Sequence, residues 1–157
     1  MKWRDWLANW GMSSLRISTP FLDMEFEPQD EDHKAAWELY IELLTRVATQ
    51  PLSYEHGDEK TALDRVHALF PTSRETIKKY GPRGQEFTKI AIVVLNQVVR
   101  PFTAKWHRLS LQGAFNDPVQ CTAFREELAA LQEKLLAYTR MLGDMASIEE
   151  DLTQIEE

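Results

Sequence analysis

The residues best suited to chemistry lie along one edge of a predicted helix in the middle of the chain. A lysine, an amide, an arginine, a hydroxyl and an imidazole fall within an arc of about 60° when each residue advances by 100°. A guanidinium binds phosphate through two hydrogen bonds, and an imidazole transfers protons near neutral pH. We therefore predict a site for a small anionic ligand, such as a nucleotide, or for RNA. The residues in this arc are Lys89, Asn96, Arg100, Thr103 and His107.

Three residues beyond Pro101 extend this predicted site with two cations and an aromatic ring for stacking. The alternative interpretation is that the edge is solvated or paired with acidic residues of neighbouring helices. The candidate ligand-binding residues are Lys89, Asn96, Arg100, Lys105, Trp106 and Arg108.

Arg100 and His107 also carry a resemblance to a known family. Their spacing, with six residues between them, resembles the Arg-x(4 to 6)-His motif of the HEPN-type helical ribonucleases. The residue after the arginine, often polar in that family, is Pro101 here. The resemblance implies a metal-independent ribonuclease that acts as a dimer. In it, Arg100 holds the scissile phosphate and His107 is the general base or acid on a ribose hydroxyl.

The distribution of charge favours a local anionic site over a nucleic-acid coat. The chain of 157 residues has a net charge of −7, which argues against binding nucleic acid or an anionic membrane with its whole surface. Residues 74 to 108 hold eight basic and two acidic side chains, a net charge of +6, between segments of −6 and −7. We expect any small anionic ligand or RNA to bind between residues 74 and 108.

Other kinds of functional site find little support in the sequence. It has no glycine-rich phosphate loop, His-Glu-x-x-His motif, EF-hand loop or Gly-x-Ser-x-Gly motif. The single cysteine, Cys121, forms neither an internal disulfide nor a cysteine zinc site, which favours a cytoplasmic location. No apolar run approaches the roughly 20 residues that span a bilayer. We therefore expect no metal, no cofactor and no membrane.

The central helix is predicted between Gln85 and about Leu111. Residues 90–95 are apolar nearly all round, which indicates a helix enclosed by its neighbours. Pro101 lies within the pattern, so we expect a kink or break near Val98 to Arg100.

Four further helices are predicted around the central one. The first begins near Asp30 and ends at Gln50-Pro51, the second runs from Asp58 to Pro71, and the third runs from Thr72 to Tyr80. The fourth begins at Asp117-Pro118 and carries a heptad seam, which we expect to pack within the chain more readily than in a dimeric zipper. The first stripe is Trp37, Tyr40, Ile41, Leu44 and Val47, the second is Leu63, Val66, His67 and Phe70, and the seam is Phe124, Leu128, Leu131, Leu135, Tyr138, Leu142 and Met145.

The N-terminal region combines a tryptophan-rich helix with an extended segment. Trp3, Trp6 and Trp10 share one face of a short helix, and they either cover the protein's own core or anchor a partner. Apolar and acidic residues then alternate over 22–27, which predicts a small hairpin bent at Pro20 with Leu22, Met24 and Phe26 inward.

Together these patterns predict a mainly α protein, a bundle of about four principal helices with a small extended or β-hairpin N-terminal segment. Residues 1–147 form one domain, and residues 148–157 form an acidic tail expected to fray or remain solvated. The heptad seam and the tryptophan stripe favour a non-enzymatic protein-interaction or regulatory module, with a protein partner or self-association. The ribonuclease and the small-anion binder are the alternatives.

Overall fold

The computed structural model describes residues 1–46 and 58–156, and it is mainly helical, as the sequence predicts. The longest helix is close to the C-terminus, and the helix before it is interrupted in the middle. The α-helices are α1 (Trp3–Asn9), α2 (Thr19–Leu22), α3 (Asp30–Thr45), α4 (Glu59–His67), α5 (Leu69–Tyr80), α6 (Gln85–Val94), α7 (Arg100–Leu111) and α8 (Pro118–Met145).

The heptad seam of α8 packs inside the chain, as predicted. All seven seam residues are buried, and α8 lies chiefly along α3, with further contacts to α7. Asp117 caps the helix by accepting the Val119 N–H at 3.0 Å, and Pro118 begins it. Phe124 packs against Phe102 and Trp106 of α7, with ring centroids 5.5 and 5.2 Å away. The seam therefore builds the core of one chain.

The central helix is interrupted where the sequence predicts it. A π-turn over Leu95–Val99 separates α6 from α7 and is closed by a hydrogen bond from the Arg100 N–H to the Leu95 carbonyl. Pro101 follows directly and has no N–H of its own, so it fits in the first turn of α7. The result is one long rod, α6 to α7, with a wider turn in the middle.

The predicted hairpin is not confirmed. Residues Thr19–Leu22 form a helical turn with Pro20 in its first turn, where a proline costs little. Within residues 1–46 and 58–156 there is no strand, only an isolated antiparallel bridge between Lys2 and Glu25. Phe26 points inward and stacks on Trp6 at 4.1 Å between centroids, but the inward placement of Met24 is wrong because it is 48% exposed.

Three local predictions about the helices are also wrong. Pro71 does not end α4, because that helix already ends before Ala68. Pro71 lies instead in the first turn of α5, which therefore begins before Thr72. Trp37 is 45% exposed, because it lies on the outer side of α3 rather than on the side facing α8. His67 is exposed too. The predicted end of the first helix, Val47 to Pro51, lies outside the described residues.

The acidic tail is attached to the helices in its described part. The Leu152 N–H donates to the Tyr40 hydroxyl at 3.0 Å, and Arg140 pairs with Asp151 at 3.1 Å. Residues Leu152–Gln154 form a short 3₁₀ turn, and Leu152 packs against the core. This part of the tail therefore docks on α3 and α8 instead of extending into solvent.

Candidate functional site

Arg100 is held in place by neutral groups. Its Nε and Nη2 donate to the Asn96 Oδ1 at 3.3 and 3.2 Å. Its Cζ lies 4.8 Å from the centroid of the Phe70 ring, an arrangement in which the ring attracts the cation. The guanidinium thus has an ordered position, and no carboxylate among residues 1–46 and 58–156 pairs with it.

The π-turn explains how the local sequence produces this arrangement. Asn96 lies inside the turn and Arg100 follows its end, so the two side chains meet on the exposed side of the rod. Thr103 is buried one turn later, and its hydroxyl donates to the Val99 and Arg100 carbonyls at 3.3 and 3.2 Å. Those two bonds occupy carbonyls next to the interruption, while Arg100 itself faces outward.

Two other basic groups lie around the Phe70 ring. The His67 ring is 5.6 Å from Phe70, between centroids. Arg74 is exposed and follows Phe70 by one helical turn, which places the two side chains side by side on α5. We refer to these residues as the Arg100 cluster, which consists of His67, Phe70, Arg74, Asn96 and Arg100.

The basic middle segment divides into paired and unpaired cations. Lys79 contacts Glu38 at 2.5 Å, Lys89 contacts Glu86 at 3.0 Å and Lys105 contacts Glu127 at 2.5 Å. The predicted pairing across helices therefore applies to Lys79 and Lys105, whereas Lys89 pairs within α6. The cations without a carboxylate partner in the described part of the chain are Arg74, Lys78, Arg83, Arg100 and Arg108.

Several predicted site residues lie apart from the Arg100 cluster. Lys89 is near the start of α6, with its ammonium 5.2 Å from the Phe21 ring centroid. Trp106 is only 2% exposed, and its Nε1 donates to Glu127, so its ring packs in the core and has no free face for a ligand. Lys105 shares the same glutamate on the α8 side of α7.

His107 and Arg108 lie further along α7, and both are exposed. His107 follows Arg100 by seven residues, about 10 Å of helical rise, on nearly the same side of the helix. The His107 ring makes no hydrogen bond or ion pair with another described residue. The two residues of the ribonuclease-like motif are therefore accessible but do not meet within one chain.

The tryptophan stripe covers the protein's own core. Trp3 and Trp6 are buried, and their indole N–H groups donate to Glu86 at 2.9 Å and Asp144 at 2.7 Å. Trp10 is half-buried beside them. Trp3 and Trp6 thus have no surface left for a partner.

The structure brings together one serine and histidine pair that the sequence does not suggest. The Ser147 Oγ lies 3.3 Å from the His33 Nδ1. Ser147 has a φ of 61° because it ends α8, where the Ile148 N–H donates to the Gly143 carbonyl. A nucleophilic serine needs its histidine oriented by a third group, and no described residue hydrogen-bonds the other ring nitrogen of His33. We therefore assign this contact to the helix end.

Cys121 is no better as a nucleophile. Burial, and then the nearby Glu59 carboxylate, raise the pKa of the Cys121 thiol, which lowers its thiolate fraction.

Among residues 1–46 and 58–156, no group of three or more metal-ligating side chains converges. No helix in the same part of the chain is both long and apolar enough for a membrane span.

Sequence reasoning identified Asn96 and Arg100 but missed the rest of the Arg100 cluster. By its position in the apolar stripe, Phe70 is predicted to be an ordinary core residue, and the unpaired state of Arg74 has no signal in its neighbours along the chain.

Comparisons with protein-family models, with curated proteins and with solved structures find no match to this chain.

Proposed function

We propose that the chain is a non-enzymatic helical interaction module that binds an anionic partner at the Arg100 cluster. The observation that carries the proposal is the Arg100 guanidinium, which the Phe70 ring and the Asn96 amide hold without neutralising it. Lys79 and Lys105 each have a carboxylate partner, whereas Arg100 has none in the described part of the chain. A guanidinium that neutral groups hold in position is well placed to bind a negatively charged group of a partner.

The free donors of Arg100 suit an oxyanion. Asn96 occupies Nε and one hydrogen of Nη2, which leaves the edge formed by Nη1 and Nη2. That edge can bind phosphate or carboxylate through two parallel hydrogen bonds. Because the side chain is already ordered, less conformational entropy is lost on binding.

Binding is better supported than cleavage. A ribonuclease needs the arginine and the histidine at the same phosphate, whereas Arg100 leans toward α5 and His107 lies two turns along α7. In the ribonuclease-like alternative the two residues would have to meet their mates across a dimer. The burial of the α8 seam within one chain removes the most regular candidate for such a contact.

The proposal includes a cytoplasmic location and a partner that is either a protein or another anionic molecule. Cys121 supports the location, since it is a free, half-buried thiol. The net charge of +6 on residues 74 to 108 supports a negatively charged partner.

Thermal unfolding with tripolyphosphate at low salt tests the proposal. At a ligand concentration ten times the Kd, binding to the folded state adds about 1.4 kcal/mol, which raises the Tm by about 3 to 6 °C. We expect this shift in the wild-type protein and little or none in Arg100→Ala. The matched control is Arg4→Ala, which removes an exposed arginine paired with Asp23 and should leave the shift intact.

Two results would contradict the proposal. The first is an unchanged Tm of the wild-type protein across tripolyphosphate and an acidic peptide. The second is an equal loss of the shift in Arg4→Ala and Arg100→Ala, because the effect would then follow total charge and not the cluster.

A further inference from the structure

The structure assigns a class to this anionic partner: we infer that the Arg100 cluster binds a single-stranded nucleic acid, with a base stacked on the Arg100 guanidinium and phosphates along the rod. This inference rests on the proposed function and narrows it. Two observations support it, the length of the unpaired basic strip and the free face of Arg100.

Four of the five unpaired cations, Arg74, Lys78, Arg100 and Arg108, lie along α5 and α7 and form an extended strip. The helix α5 runs back along α6, and α7 continues α6 beyond the π-turn, so α5 and α7 lead in opposite directions from the contact between Phe70 and Arg100. Lys78 lies eight residues beyond Phe70 on α5, and Arg108 lies eight residues beyond Arg100 on α7. Each of these eight-residue separations corresponds to about 12 Å of helical rise, so the strip is roughly 24 Å long.

This length favours a polymer. A mononucleotide engages Arg100 and one neighbour but leaves most of the strip unused. A chain with several phosphates engages Arg74, Arg100 and Arg108 together, and each neutralised phosphate releases counterions. Lys79, Lys89 and Lys105 are paired with carboxylates and are not counted in this strip.

The stacking surface separates nucleic acid from an acidic peptide. The Arg100 Cζ lies 4.8 Å from the centroid of the buried Phe70 ring, and Arg100 is exposed, so the side of the guanidinium that points away from Phe70 is open to a base. Proteins that bind single strands stack bases on such planar groups, arginine included. The carboxylates of a peptide would use the free edge of Arg100 and gain nothing from its free face.

Fluorescence anisotropy of the full chain with four labelled probes tests the inference. The probes are an oligouridylate and an oligothymidylate of about twelve nucleotides, uridine monophosphate, and an oligoglutamate of about the same length as the oligomers. We expect the two oligonucleotides to bind at least ten times more tightly than the other two. Their affinity should fall with salt at a slope of about −0.7 for each phosphate contacted.

Four variants locate the contact. Arg100→Ala and Arg74→Ala should each weaken oligonucleotide binding about tenfold or more, and Arg4→Ala should change it less than twofold. Arg100→Lys keeps the charge but loses the planar face, so it should lose most oligonucleotide binding while retaining the thermal shift with tripolyphosphate. Because these side chains are exposed, we expect every variant to fold, and circular dichroism verifies this.

The outcomes separate the two proposals. Oligoglutamate or the mononucleotide binding as tightly as the oligonucleotides would overturn the nucleic-acid inference and leave the anionic module intact. No binding of any anionic probe, with no thermal shift, would overturn both. Cleavage of the oligouridylate that disappears in His107→Ala would overturn the non-enzymatic assignment.

Discussion

One buried carboxylate organises the two helix ends that meet near the N-terminal tryptophans. The Asp32 Oδ2 accepts the Gln29 N–H at 2.8 Å at the start of α3, and its Oδ1 accepts the Phe87 N–H at 2.9 Å in the first turn of α6. Both helix ends carry a partial positive charge from their free N–H groups. A single fully buried Asp32 side chain therefore satisfies donors of two elements.

Asp32→Ala should destabilise the fold by about 3 kcal/mol, because it leaves the buried Phe87 N–H and the part-buried Gln29 N–H without their acceptor. The free energy of unfolding in urea measures this loss. Asp30→Ala, an exposed change in the same turn of α3, is the control, and we expect it to cost less than about 1 kcal/mol. Equal losses of unfolding free energy in the two variants would show that the Asp32 carboxylate stabilises the fold no more than the exposed Asp30 carboxylate does.

The residue scale also explains why the candidate site was found only in part. Asn96 and Arg100 are four residues apart in a helical pattern, so their proximity follows from the sequence. The contact of Arg100 with Phe70 depends on how α5 packs beside the rod. No local pattern encodes that packing.

At the scale of elements, α3 and α8 pack closely together at Gly143. A Cβ atom on Gly143 would lie 3.0 Å from the Cε2 of Tyr40. The Tyr40 ring is 1% exposed, and its hydroxyl accepts the Leu152 N–H at 3.0 Å, so the ring has little room to move. The glycine allows the two helices to pack at this distance.

Gly143→Ala should therefore destabilise the protein by about 1 to 3 kcal/mol from overpacking, in spite of the better helix propensity of alanine. Urea unfolding measures the change. In the background of Tyr40→Leu, which removes the ring, the same substitution should cost nothing or stabilise the protein. A gain in stability in the wild-type background would show that Tyr40 moves aside freely.

The interruption of the central rod shows what an element's sequence predicts and what it does not. A proline inside a helical pattern predicts a break, and the break lies where expected. Its form, a π-turn over Leu95–Val99 and not a sharp kink, depends on the surrounding helices that bury Val98 and Val99. This form sets the direction of Asn96 and Arg100.

At the scale of the whole molecule, the net charge and the local charge have different consequences. The chain as a whole is acidic, with a net charge of −7. Carboxylate partners neutralise three of the cations in the basic segment, two of them between helices, and four of the remaining five lie on α5 and α7. An acidic protein thus retains a basic strip of limited size.

The buried seam predicts a monomer, because its apolar surface is already covered by α3 and α7. Light scattering coupled to size-exclusion chromatography should give a mass near 18.3 kDa at all concentrations tested. Small-angle scattering should give a radius of gyration of about 15 Å. A dimer that persists on dilution would contradict this prediction and would favour the ribonuclease-like arrangement.

The sequence by itself determined the helical class, the buried seam of α8, the break in the central rod and the segment that carries the positive charge. These properties follow from periodicity and from proline, which act between residues close together in the chain. Only the tertiary structure decided that Trp37 and His67 face outward, that the tail docks on Tyr40, and which cations are neutralised. The physical reason is that a side chain's partner is set by the packing of helices far apart in sequence. Arg100 is therefore a candidate from sequence, and the contact with Phe70 makes it a candidate site.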